Sequence, residues 1–87
     1  MTLSAAQQRM EALAGLAWAE IKTRHPAQAN AFEATCTPIE AIIECLPNDE
    51  RYDELVAQTE AETDIGNVVK VVLPVITDIA LKLIAGA

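Results

Sequence analysis

Eighty-seven residues with a net charge of −7, 52% hydrophobic content and only three aromatic side chains (Trp18, Phe32, Tyr52) bound the chain to one small domain, residues 1–87, whose core must be built from Leu, Ile, Val and Ala. Three Gly and four Pro in so apolar a composition exclude a disordered chain. The acidic balance argues against direct nucleic-acid binding, because carboxylates repel a phosphate backbone.

A chain of this length buries only about 60–65% of the surface its unfolded form exposes, so folds of this size often lean on disulfides, a metal or association. Two cysteines, Cys36 and Cys45, are too few for a secreted disulfide framework. Their spacing within a helix corresponds to roughly 13 Å, too far for a bridge. They are expected as buried free thiols in a cytoplasmic protein. The N-terminus has no basic start followed by an apolar run, and Glu11 interrupts what apolar character there is, so no signal peptide is expected.

The periodicity predicts an all-α fold, a small bundle of four to five helices over about 4–24, 26–34, 38–46, 49–62 and 65–85. In the first, Ser4 and Gln7 fit a capping box, and Leu3, Met10, Leu13, Ala14, Ala17, Trp18 and Ile21 share one side at helical spacing. Ala12, Gly15 and Ala19 form a second side of small residues. His25-Pro26 ends this helix, since proline disfavours a helical conformation in the residue before it. A short helix follows from Pro26. Thr37, Pro38 and Glu40 then announce the third, with Ile39, Ile42, Ile43 and Leu46 as its stripe and Pro47 as its end.

The fourth helix starts with Asn48 or Asp49 as cap and carries its acidic residues early, where they favour the positive end of the helix dipole. Its apolar stripe is narrow: Tyr52, Leu55, Val56 and Ala57. A break or bend is expected near Gly66. The segment 65–84 has apolar residues at thirteen of twenty positions, interrupted by Lys70, Pro74, Asp78 and Lys82. Central charges disfavour a membrane span, and a strand would have no partner. The remaining reading is a long apolar helix bent near Pro74. Ile65, Val69, Val72, Ile76, Ile79 and Leu83 fall at alternating spacings of four and three, an a/d seam through which copies of the chain would associate. An ordinary intramolecular core is the competing use of the same stripe. Val71, Leu81 and Ile84 lie off it.

No catalytic pairing is visible. His25 is read as interacting with the last carbonyls of the first helix. His25, Cys36 and Cys45 lack the close spacing of a zinc site, and Cys36 has neither a neighbouring base nor an electropositive setting. Glu40 and Glu44 lack the accompanying Glu-x-x-His of a di-metal bundle. Asp49, Glu50, Asp53 and Glu54 lack the order of a calcium loop. No enzyme activity, cofactor or metal is expected.

Charge is placed unevenly, with −2 over residues 1–47, −6 over 48–64 and +1 over 65–87. The expected function is therefore a non-enzymatic protein-protein interaction module, an adaptor or inhibitor. It would self-associate through the C-terminal helix and present Asp49, Glu50, Asp53 and Glu54 to a basic protein surface. The alternatives are a structural subunit of a homomeric assembly and, behind it, a membrane-surface protein.

Overall fold

A long apolar helix in so short a chain has to be wrapped by the remainder, and that requirement organises the architecture. The computed structural model describes residues 5–61 and 64–85, with side chains from Gln8 onward. Five α-helices follow in order: α1 (Ala5–Arg24), α2 (Pro26–Glu33), α3 (Pro38–Cys45), α4 (Tyr52–Ala61) and α5 (Ile65–Ala85). A 3-10 turn over Leu46–Asn48 joins α3 to α4. Among the described residues there is no strand, and the β-branched run Val68–Leu73 is helical. The fold is the small all-α bundle the periodicity predicts. Ser4 and the side chain of Gln7, on which the first capping box rests, and Leu3 of the apolar face lie outside the described residues.

The α1 and α5 helices share the largest interface. From α1 come Met10, Leu13, Ala14, Ala17, Trp18 and Ile21, all buried, as their common helical face requires. From α5 come Val68, Val72, Ile76, Ile79 and Ala80. The radius of gyration, 12.7 Å, is close to the roughly 12 Å of a packed chain of this length, so α5 is folded into the bundle rather than projecting from it.

The helix junctions follow from local chemistry. The His25 N–H completes α1 by donating to Ile21 O at 2.7 Å, while its own carbonyl accepts from Ala29 N–H at 3.0 Å to begin α2. The link of His25 to the end of α1 is thus a backbone link, and the residue is exposed. The α2 helix closes over the end of α1: the Trp18 and Phe32 rings lie 5.9 Å apart and tilted by 48°. The Trp18 indole Nε1–H donates to Glu33 Oε1 at 3.0 Å, and Lys22 Nζ reaches the same oxygen at 2.9 Å. Lys22, and then the indole, hold the Glu33 carboxyl below its usual range. At the end of α2 the Phe32 carbonyl accepts from the backbone N–H groups of Thr35 and Cys36 and from the Thr35 hydroxyl, at 3.0, 3.3 and 2.8 Å. Thr37 is the N-cap of α3 with Pro38 in the first turn, as expected, but its hydroxyl makes no capping bond. The reciprocal capping box is therefore absent at this end. Ala41 N–H instead meets the Thr37 carbonyl at 3.0 Å.

Among the described residues Asp64 is the non-helical position before α5, which starts at Ile65, next to Gly66 as expected. The Asp64 carbonyl accepts from Asn67 and Val68 N–H, both at 3.1 Å, and its Oδ1 accepts from Gly66 N–H at 2.9 Å. A Cβ at position 66 would stand 3.2 Å from that Oδ1, so glycine leaves room for the capping carboxylate. α5 then continues through Pro74, which is exposed. Proline has no N–H to give to the residue four positions earlier, and its exposed position leaves the Lys70 carbonyl on the outer side of the helix.

Candidate interaction surface

In the acidic segment the structure separates residues that the sequence groups together. Asp49 is half-buried and occupied: its Oδ1 accepts from Arg51 N–H at 2.8 Å, the turn that leads into α4. The same carboxylate takes the Arg51 guanidinium side-on, Nε to Oδ1 at 3.0 Å and Nη2 to Oδ2 at 3.2 Å. Such a paired fork fixes orientation as well as charge. The Arg51 guanidinium also donates through Nη1 to Asp78 Oδ2 at 3.2 Å, tying the start of α4 to the middle of α5. Lys82 Nζ lies 3.4 Å from that Asp78 oxygen, one helical turn away. Arg51, by its side chain and then its backbone N–H, draws the Asp49 carboxyl from its ordinary 3.8 down to about 2. Asp49 therefore anchors the fold and leaves the proposed acidic face.

Glu50, Asp53 and Glu54 remain exposed, as does Glu60 further along the helix. Glu54 Oε1 accepts from Gln58 Nε2 at 3.3 Å, which orients both side chains along the seam between α4 and α5. Along that seam run two open depressions. One, of about 300 Å³, lies against Gln58, Ala61, Val68 and Val71. The other, of about 130 Å³, lies against Glu54, Gln58, Val71 and Val75. They share Gln58 and Val71, and Val71 is 51% exposed. The deeper wall is Leu55, at 2% exposure. α4 has two buried residues, Leu55 and Thr59, with Tyr52 and Val56 half-buried against the core. The Thr59 hydroxyl is satisfied within its own helix, donating to Leu55 O at 2.7 Å, and the Thr59 carbonyl accepts from Arg9 Nη1 at 2.9 Å.

The stripe expected to join copies of the chain faces largely inward. Val72, Ile76 and Ile79 are 1%, 0% and 2% exposed, Val69 and Leu83 are half-buried against the core, and Ile65 alone is exposed. The reason is that α1 supplies an apolar face long enough to cover the seam within one chain. Of the off-stripe residues, Leu81 and Ile84 are half-buried and Val71 is open. Outside the α4–α5 seam, Leu16 on α1 and Ile39 on α3 are the other exposed large apolar side chains of the described residues. Ile39 was expected inside the α3 stripe; it sits at the open edge of that helix, with its Cδ1 4.0 Å from the position a Cβ would take on Gly15.

Neither cysteine is buried as expected. Cys36 is exposed, its Sγ 3.7 Å from Phe32 O, because it falls in the turn after α2 rather than within a helix. Cys45 is half-buried at the end of α3. Both are free thiols. Glu40 and Glu44 are exposed on α3. Among the described residues no three His, Cys, Asp or Glu side chains are grouped to hold a metal ion, and no helix is long and apolar enough to cross a membrane.

Arg51 is the residue that sequence reasoning passed over. Its signal is local: one cation among seven carboxylates in residues 48–64, two positions after Asp49. Its second partner, Asp78, is twenty-seven positions away and has no local signature. Comparison with protein-family models, curated proteins and solved structures finds no match to this chain.

Proposed function

We propose that the protein is a small acidic, non-enzymatic protein-protein interaction module, an adaptor or inhibitor, that engages a basic protein surface through Glu50, Asp53 and Glu54. The observation that carries this reading is the division of labour in the acidic segment. One carboxylate, Asp49, is spent on positioning α4, while three neighbours stand exposed on a helix start that the Arg51–Asp78 link ties to α5. Clustered charge of one sign accelerates encounter with a surface of the opposite sign and suppresses wrong partners. The two free thiols suit the cytoplasm, where cysteines stay reduced.

The test is retention of basic proteins by the immobilised chain, followed by association kinetics of each retained protein against salt. The comparison variant is Glu50→Gln/Asp53→Asn/Glu54→Gln, which leaves the Asp49–Arg51 anchor intact. The expected outcome is about tenfold slower association at low salt and a shallower salt dependence for the variant. Equal rates and an equal salt slope overturn the reading.

A second reading, a subunit of a homomeric assembly, is favoured by exposed Leu16 and Ile39, which lie outside the acidic seam. A molar mass in solution of two or more chains that falls to one on Leu16→Lys supports it. A single-chain mass throughout removes it.

A further inference from the structure

The seam between α4 and α5 carries more than charge. Val68, Val71 and Val75 recur at helical spacing on α5, and Leu55, Gln58 and Ala61 do the same on α4. The result is a shallow trough with an apolar floor, open at Val71. It follows the ten residues of α4, Tyr52–Ala61, about 15 Å at 1.5 Å per residue, the length of about three turns of another helix. Its rim on α4 carries Glu54, within the segment 48–64 whose net charge is −6. The cation at its end, Arg51, is already matched by Asp49 and Asp78 and so does not oppose an incoming positive charge.

We propose that this trough docks a cationic amphipathic helix of a partner protein, with apolar anchors at i, i+3/i+4 and i+7 over Val71 and Lys or Arg side chains towards Glu54 and the acidic segment that carries it. The proposal rests on the interaction-module reading and specifies its partner. Helix-in-groove recognition has this form, apolar anchors giving affinity and flanking charge giving orientation. Charge complementarity selects the occupant. A second copy of the chain would bring another net −7 against a segment of −6, whereas a basic helix meets opposite charge at Glu54 and in that segment.

The experiment uses a fluorescent synthetic helix of Leu and Lys with one apolar face, and a scrambled peptide of the same composition without that face. Binding to the full chain is read by anisotropy. The deciding variant is Val71→Asp, because it adds a negative charge while spoiling the apolar floor. Val71 is half exposed, so the fold is expected to survive, as circular dichroism and the denaturation midpoint will report. Leu55-facing truncation is avoided, since it would disturb the core. Val71→Ser provides the uncharged check.

The expected result is that the native chain prefers the amphipathic peptide to the scrambled one by at least about tenfold. Val71→Asp then weakens binding about tenfold or more, Val71→Ser weakens it less, and Glu54→Gln lowers the salt dependence. Tighter or unchanged binding by Val71→Asp, or equal binding of the scrambled peptide, overturns the trough and leaves the charge-based reading standing. No binding of either peptide, together with no retained basic protein, overturns both. A native dimer that Val71→Asp converts to monomer identifies the occupant as a second copy and overturns the proposal.

Discussion

Both α1 and α4 lie against α5, but they cover it by different means. α1 brings an apolar face of six buried residues, from Met10 to Ile21, and meets α5 in the largest interface of the bundle. α4 brings Leu55 and Thr59, with Tyr52 and Val56 half-buried against the core, and its start is tied to α5 by a chain of charges from Asp49 through Arg51 to Asp78 and Lys82. Apolar burial is non-directional and scales with area, so the first contact supplies stability. The second supplies position, because a side-on guanidinium fork is worth little when partly exposed but fixes geometry. A contact of the second kind leaves an open trough beside it. The lesson is that the acidic helix can be tied down at its start without its surface being used up.

The largest effect that sharpens this comparison is expected at Ile76, which is 0% exposed. Ile76→Ala should lower stability by about 2–5 kcal/mol, read as a shift in denaturation midpoint, through lost transfer energy and the cavity left behind. A loss near zero would mean that α5 is held mainly by charge, and the comparison would fail.

Arg51→Gln should cost clearly less and should act through pH. The Asp49 carboxyl titrates near 2 in the folded chain against an ordinary 3.8. A group whose folded pKa is lowered contributes stability above its unfolded value and loses it as pH falls through the folded one. The stability advantage of the native chain over Arg51→Gln should therefore be full above about pH 4 and shrink as the pH falls towards about 2. Denaturation midpoints of the two proteins at several pH values give the difference directly. A gap that stays constant across that window would remove Asp49 as the partner of Arg51.

The smallest effect is expected at Thr59, buried in the α4 contact. Its hydroxyl bonds only the Leu55 carbonyl of its own helix, so Thr59→Val exchanges one hydrogen bond of about 1 kcal/mol for apolar burial of similar shape. A change below about 1 kcal/mol in denaturation is anticipated. A much larger loss would show that α4 is held by this residue and not by the Arg51 link.

Five helices were legible in the sequence, and so was the buried face of α1, although α4 begins at Tyr52 and not behind a cap at Asn48 or Asp49. Met10, Leu13, Ala17 and Ile21 recur at a spacing that only a helix can gather on one side. Proline at 26 and 38 marked two helix starts for an equally local reason. The candidate site was half legible. Glu50, Asp53 and Glu54 are exposed as expected, because carboxylates stay in water unless they are paired in the interior. Asp49 could not be separated from them, since its role depends on how Arg51 bridges to a residue of another helix.

By itself, then, the sequence determined the helices, their order and which of their faces are apolar, because period and proline geometry act within a few residues. It also determined that α5 is too apolar to stand alone. Which surface would cover α5 was decided only by the tertiary structure. Val72, Ile76 and Ile79 have the same seam pattern whether they face α1 or another chain, and periodicity does not say whose side chains lie opposite. Tertiary structure also decided that Val71 stays open beside Gln58 and that Arg51 reaches Asp78 on α5. Both outcomes depend on how far a narrow α4 reaches across a wide α5, a balance of lengths and angles that no local rule encodes.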